Sequence, residues 1–91
     1  MYSADYTSQF KKDYKLCAKR GYPMKSFQKI IEDLLAGVPL APKCKLHSLT
    51  GNWVDFEECH IKPDWLLIFK REEQVKTLVF TRTGTHSDLF G

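Results

Sequence analysis

The run Trp65-Leu66-Leu67-Ile68-Phe69, bounded by Asp64 and Lys70, restricts the fold more than any other segment. It is the longest uninterrupted apolar run in the chain, and it is far too short to cross a membrane, which takes about 20 residues. Apolar side chains at successive positions of a strand point to both faces, so this segment reads as a central strand covered on each side. A chain of 91 residues can bury one such core without staples, which predicts a single domain over residues 1–91.

The flanking segments supply the covers. Met1–Tyr6 reads as a short edge strand. Thr7 or Ser8 then caps a helix in which Phe10, Tyr14 and Cys17 recur at helical spacing, and Gly21 ends it. Pro23 opens a second helix whose Met24, Phe27, Ile30, Ile31, Leu34 and Leu35 keep a 3.6-residue period until Gly37. Between Val38 and Gly51, Pro39 and Pro42 argue for a loop. Asn52–Cys59 alternates, with Val54 and Phe56 on one face, and Val75–Arg82 alternates again, with Leu78, Phe80 and Arg82 on one face. The expectation is an α+β fold: a twisted antiparallel sheet of about four strands, two helices packed on one face, and a polar cluster on the face left open.

Charge is distributed unevenly. The whole chain carries 14 basic and 11 acidic side chains, a net +3. Residues 1–30 hold Lys11, Lys12, Lys15, Lys19, Arg20, Lys25 and Lys29 against only Asp5 and Asp13, a local +5. Such a basic N-terminal third fits either a solvated helix face or a footprint for phosphate backbones. The odd number of cysteines, Cys17, Cys44 and Cys59, and the lack of an apolar run near Met1 predict free, mostly buried thiols in a reducing cytoplasm.

All three histidines, His47, His60 and His86, fall in the second half of the chain with Asp64, Arg82 and Phe90. Taken singly, each has an ordinary structural use in a loop, turn, cap or anchor. No metal site is expected from them, because adjacent Cys59 and His60 point to opposite faces of a strand and the spacing lacks the paired ligands of closed zinc sites.

Three ordered strings carry more weight than any single residue: HSLTGNW (residues 47–53), HIKPDWLLIF (60–69) and RTGTHSDLFG (82–91). In this order they resemble the YafQ branch of the RelE/ParE toxin superfamily, and the two preceding helices agree in length and placement. The resemblance implies a RelE-like fold ending in a short C-terminal helix or tail. It further implies the toxin of a bacterial toxin-antitoxin pair, which enters the ribosomal A site on the 30S subunit and cuts mRNA there with no metal or cofactor. By motif position it carries catalytic roles to His47, His60, Asp64, His86 and Phe90, and phosphate contact to Arg82. Lys11, Lys12, Lys15 and Lys19 would then face ribosomal RNA. Its partners would be a cognate antitoxin, the ribosome and mRNA, with no membrane and a monomeric free toxin. One departure is visible: where relatives carry a basic residue two or three positions before the strand-end histidine, this chain has Glu57 and Glu58.

Cleavage by a neighbouring 2′-hydroxyl needs a base, a cation on the phosphate and an acid for the leaving oxygen. Histidine suits both proton roles, since its unperturbed pKa of about 6.5 lies near neutrality. Arginine grips two phosphate oxygens in a planar fork. The expected assignment makes His86 the acid, with His60 and Asp64 deprotonating or orienting the 2′-hydroxyl, His47 in support and Phe90 as a stacking surface for a base. The alternative from the same superfamily is a non-catalytic binder that poisons DNA gyrase, which has no need of proton-transfer groups. A DNA-binding repressor fits less well, for want of a recognition helix.

Overall fold

A computed structural model describes residues 1–91. The first strand, β1 (Ser3–Tyr6), ends at Thr7, whose hydroxyl accepts the Phe10 N–H at 3.0 Å and so caps α1 (Ser8–Lys19). The second helix, α2 (Met24–Ala36), ends at Gly37, which adopts a φ of 74° that a residue with a Cβ resists. Then come β2 (His47–Ser48), β3 (Phe56–Lys62), β4 (Trp65–Glu72), β5 (Thr77–Gly84) and the short helix α3 (His86–Phe90).

The sheet corrects the expected strand count and direction. It has five strands in the order β1-β5-β4-β3-β2 and is mixed, because β1 runs parallel to β5 while the other pairs are antiparallel. The added strand is β2, which lies in the segment read as loop; two residues are too few to show a period. Strand β3 also starts later than Asn52. Gly51–Trp53 forms a 3-10 turn, and the Leu49 N–H bonds to the Phe56 carbonyl at 2.9 Å, so Thr50–Asp55 is the connection between β2 and β3.

Strand β4 is covered on both faces, as its composition requires. Trp65, Leu67 and Phe69 pack with Leu78, Phe80 and the apolar stripes of α1 and α2, where Phe27 stacks on Trp65 at 5.8 Å. Leu66 and Ile68 point the other way and meet Leu89 of α3, with Leu49, Trp53 and Phe56 around them. This second face is only partly covered, and it carries the histidines.

A bulge in β5 changes where Arg82 points. Phe69 pairs with Phe80 but Ile68 pairs with Arg82, leaving Thr81 unmatched. Arg82 therefore leaves the core-facing row of Leu78 and Phe80, in which parity alone had put it, and Thr83 takes the buried place instead. No helix is long and apolar enough to cross a membrane.

Candidate active site

The register builds two parallel rows on the partly open face. His47, Glu58, Ile68 and Arg82 are successive partners across β2, β3, β4 and β5. One step along, His60, Leu66 and Gly84 form the next row. His47 and His60 thus approach from neighbouring strands, and His86 is delivered over them by the turn that follows Gly84.

Each imidazole is held through the same nitrogen. Nδ1 of His47 faces the Lys45 carbonyl at 2.5 Å, Nδ1 of His60 faces the Pro63 carbonyl at 3.2 Å, and Nδ1 of His86 faces Asp64 Oδ1 at 2.5 Å. Carbonyl and carboxylate oxygens only accept, which assigns the proton of each neutral ring to Nδ1 and leaves Nε2 as the working nitrogen. The His60 and His86 rings lie 5.9 Å apart, centroid to centroid.

Two carboxylates stand behind them. Glu58, buried at 5% exposure, brings Oε1 to 3.4 Å from His47 Nε2 and 3.8 Å from His60 Nε2. Asp64 accepts the His86 backbone N–H at 3.0 Å as well as its ring nitrogen, so it pairs with His86 rather than with His60. Those contacts, the backbone N–H first and the ring second, hold the Asp64 carboxyl below the usual carboxylate range. The Glu58 oxygen itself lies where both imidazoles point, and no group of three or more His, Cys, Asp or Glu side chains is arranged around an ion position.

Arg82 is fixed from the helix layer. Its Nε donates to Asp13 Oδ2 at 2.7 Å and its Nη2 to Oδ1 at 3.3 Å, while Nη1 has no partner within the chain. Asp13 also accepts the Thr83 backbone N–H at 3.2 Å, satisfying the edge of β5 beyond the point where β1 stops pairing. Phe90 remains about half exposed, with its ring 6.3 Å from Trp53 in an edge contact.

Lys11, Lys12, Lys15 and Lys19 all lie exposed along α1 and pair with no carboxylate. They are on the helix layer and do not join the histidine cluster; Lys11 and Lys15 instead border an apolar groove of about 540 Å³ with Tyr6, Phe10, Tyr14 and Phe27. A second basic group does border the site: Lys43, Lys45 and Lys62 line a cleft of about 300 Å³ with His60. Glu57 faces away from the histidines, where Arg71 binds it at 2.8 and 3.2 Å. Of the two acidic residues, only Glu58 belongs to the site.

Glu58, Asp13 and the Lys43–Lys45–Lys62 cleft were not singled out from sequence as parts of the site. Glu58 had a readable signal, because it lies two positions before His60 on a strand and so shares its face. Asp13 had another: it sits among Phe10, Tyr14 and Cys17 on the apolar side of α1, an unusual place for a carboxylate.

The two-helix layer on one side of a mixed sheet is a fold this chain shares with solved bacterial toxins. Over residues 2–91 the chain matches the family model described as bacterial toxin of type II toxin-antitoxin system, YafQ, and it belongs to that family. It is 40% identical to the mRNA interferase toxin YafQ of Escherichia coli K12 over 88 residues, 96% of this chain and 94% of that one. The crystal structure of the E. coli DinJ-YafQ complex superposes with a TM-score of 0.91 at 38% identity, covering 100% of both chains. A metal-bound toxin from Helicobacter pylori superposes with a TM-score of 0.93 at 42% identity, covering 99% of this chain and 100% of that one.

Proposed function

We propose that this chain is an mRNA interferase: an endoribonuclease that enters the ribosomal A site and cuts mRNA there by 2′-hydroxyl attack, without a metal, leaving a 2′,3′-cyclic phosphate and a 5′-hydroxyl. The observation that carries this reading is the pair of imidazoles 5.9 Å apart, each presenting Nε2 and each with a carboxylate to stabilise its charged form. In-line displacement puts the attacking and leaving oxygens on opposite sides of phosphorus, so an acid and a base must straddle it.

His86 is the general acid. Asp64 accepts its Nδ1–H and stabilises the imidazolium, which then donates from Nε2 to the leaving 5′-oxygen. His60 is the base, since a proton taken up at Nε2 arrives 3.8 Å from the Glu58 carboxylate. His47 shares that carboxylate and supports the base from the neighbouring strand. Arg82, aimed by Asp13, offers its free Nη1 edge to the charge that develops on the phosphate. Phe90 is a face for a splayed base. The unpaired lysines of α1 and those beside His60 supply salt-sensitive attraction to ribosomal and messenger RNA. A cognate antitoxin that holds the toxin inactive is supported by the DinJ-YafQ complex of the E. coli relative.

The test is induced expression followed by mapping of mRNA 5′ ends. New cuts in frame with translation are expected, and they disappear for His86→Ala at equal expression. Growth arrest without new cuts refutes the nuclease, and DNA damage in their place points to gyrase. Cleavage on purified ribosomes should survive chelation; loss on chelation with recovery on added zinc or copper refutes the metal-free step.

A further inference from the structure

The helix that carries His86 has five residues, too few to persist on its own in water. Leu89 anchors it to Leu66 and Ile68, Phe90 meets Trp53 edge-on and Asp64 accepts the His86 N–H. A further hold, on the third residue of the helix, comes from the far end of α1. Arg20 donates from Nη1 to Asp88 Oδ2 at 2.6 Å and from Nη2 to Oδ1 at 3.1 Å, a two-point grip that fixes direction as well as distance. Asp88 is the third residue of α3, and its Oδ2 also accepts the Thr85 N–H at 2.9 Å, while the Thr85 hydroxyl accepts the Asp88 N–H at 3.1 Å. One carboxylate therefore ties the turn at Thr85, the helix and α1 together, with His86 between the tied points.

The arginine is itself supported. Tyr22 places its hydroxyl 3.4 Å from Nη1 and its ring 5.8 Å beneath the guanidinium, and that ring packs edge-on against buried Trp65 at 4.9 Å. The Arg20 contact, followed by the Thr85 N–H, holds the Asp88 carboxyl well below the usual carboxylate range, so the pair stays ionised throughout the neutral region.

We propose that Arg20 and Asp88 are positioning residues for RNA cleavage: their ion pair sets the pose of α3 and thereby aims the His86 imidazole at the leaving oxygen. The inference rests on the nuclease reading above. Neither side chain makes a hydrogen bond to the His86 ring, whose partner is Asp64. The competing role for Arg20, a direct contact to RNA from the end of a lysine-bearing helix, makes an opposite prediction, because removing Asp88 would then free the arginine instead of disabling it.

The experiment compares the parent with Arg20→Ala, Arg20→Lys, Asp88→Ala and the double variant, using single-turnover cleavage of mRNA on programmed ribosomes across pH. Melting temperatures and the imidazole NMR signals of His86 in the free protein are recorded beside it. The maximal rate should fall about 10- to 100-fold in either alanine variant, the range that a displacement of about 1 Å can cause. Half-saturation should move less than about threefold, because the ion pair does not contact RNA. The double variant should match the single ones, Arg20→Lys should recover only part of the rate, and the acid limb of the pH profile should shift with the His86 signals. Parent-like cleavage by Asp88→Ala overturns the proposal, as do additive effects of the two substitutions or a loss confined to half-saturation. Should an alanine variant unfold, Arg20→Lys alone decides, since it keeps the charge and loses the fork. A parent that cuts no RNA refutes the nuclease reading, whereas unchanged His86 signals in folded variants refute the positioning.

Discussion

Replacing Asp13 by asparagine tests whether the helix layer organises the active face. The carboxylate accepts from Arg82 Nε at 2.7 Å, Arg82 Nη2 at 3.3 Å, the Thr83 N–H at 3.2 Å and Gln9 Nε2 at 3.0 Å. Asparagine keeps one oxygen and turns an N–H₂ group toward donors, so at least two of these contacts are lost along with the charge. Hydrogen bonds to charged groups contribute about 1.5–3 kcal/mol each, and breaking a fully buried ion pair costs about 3–5 kcal/mol. Asp13 is buried, but the Arg82 side chain is 24% exposed and regains some hydration, which brings the expected loss to about 2–3 kcal/mol. For a domain of this size that lowers Tm by roughly 8–24 °C. Circular-dichroism melts at pH 7 measure it, and a cycle with Arg82→Gln should give a coupling of at least about 1 kcal/mol. Cleavage should fall as well, since Arg82 loses its aim. A Tm within about 3 °C of the parent, or additive single effects, refutes the reasoning.

Other perturbations have equally definite outcomes. Because Asp88 is held below the usual carboxylate range, its stabilising contribution is complete above its unfolded pKa of about 3.9 and is lost as pH falls further. The Tm difference between the parent and Asp88→Asn should accordingly be largest above about pH 5 and shrink below about pH 4. Gly84→Ala would set a Cβ 2.8 Å from Asp88 Oδ2 and 2.9 Å from its Cβ, at a φ of 156°, so it should displace α3 and abolish cleavage while the sheet still melts cooperatively; parent-like cleavage would contradict this. Burial pushes the Cys59 thiol up to about 12 and raises that of Cys17 too, and Cys44 is 6% exposed. A thiol reagent at pH 8 should therefore find none of the three in the native protein and all three in denaturant.

What could be read in advance follows from the range over which each signal acts. The α2 stripe from Met24 to Leu35 and the two-faced Trp65–Phe69 strand announce themselves through period and composition, which are local. The His60–Asp64 and Arg82–Phe90 strings did so through resemblance. The Thr81 bulge left no mark in the alternation of Val75–Arg82, and it moved Arg82 off the row that parity had given it. Strand β2 is too short to show a pattern, and nothing local joins Arg20 to Asp88, which are 68 positions apart. Glu58 and Asp13 were within reach, because one shares a strand face with His60 and the other interrupts an apolar helix stripe.

The parallel pairing of β1 with β5 bears on how such a protein comes into being. These two strands are neighbours in the sheet though far apart in the chain, so β1 has no partner until the β5 segment has been made. Asp13 likewise waits for Arg82, and Arg20 for Asp88. A chain still under synthesis thus holds its lysines and two of its histidines without the strand and helix that aim the remaining groups. Synthesis that stops before β5 therefore leaves a cluster with nothing to aim it, in place of a weakened site.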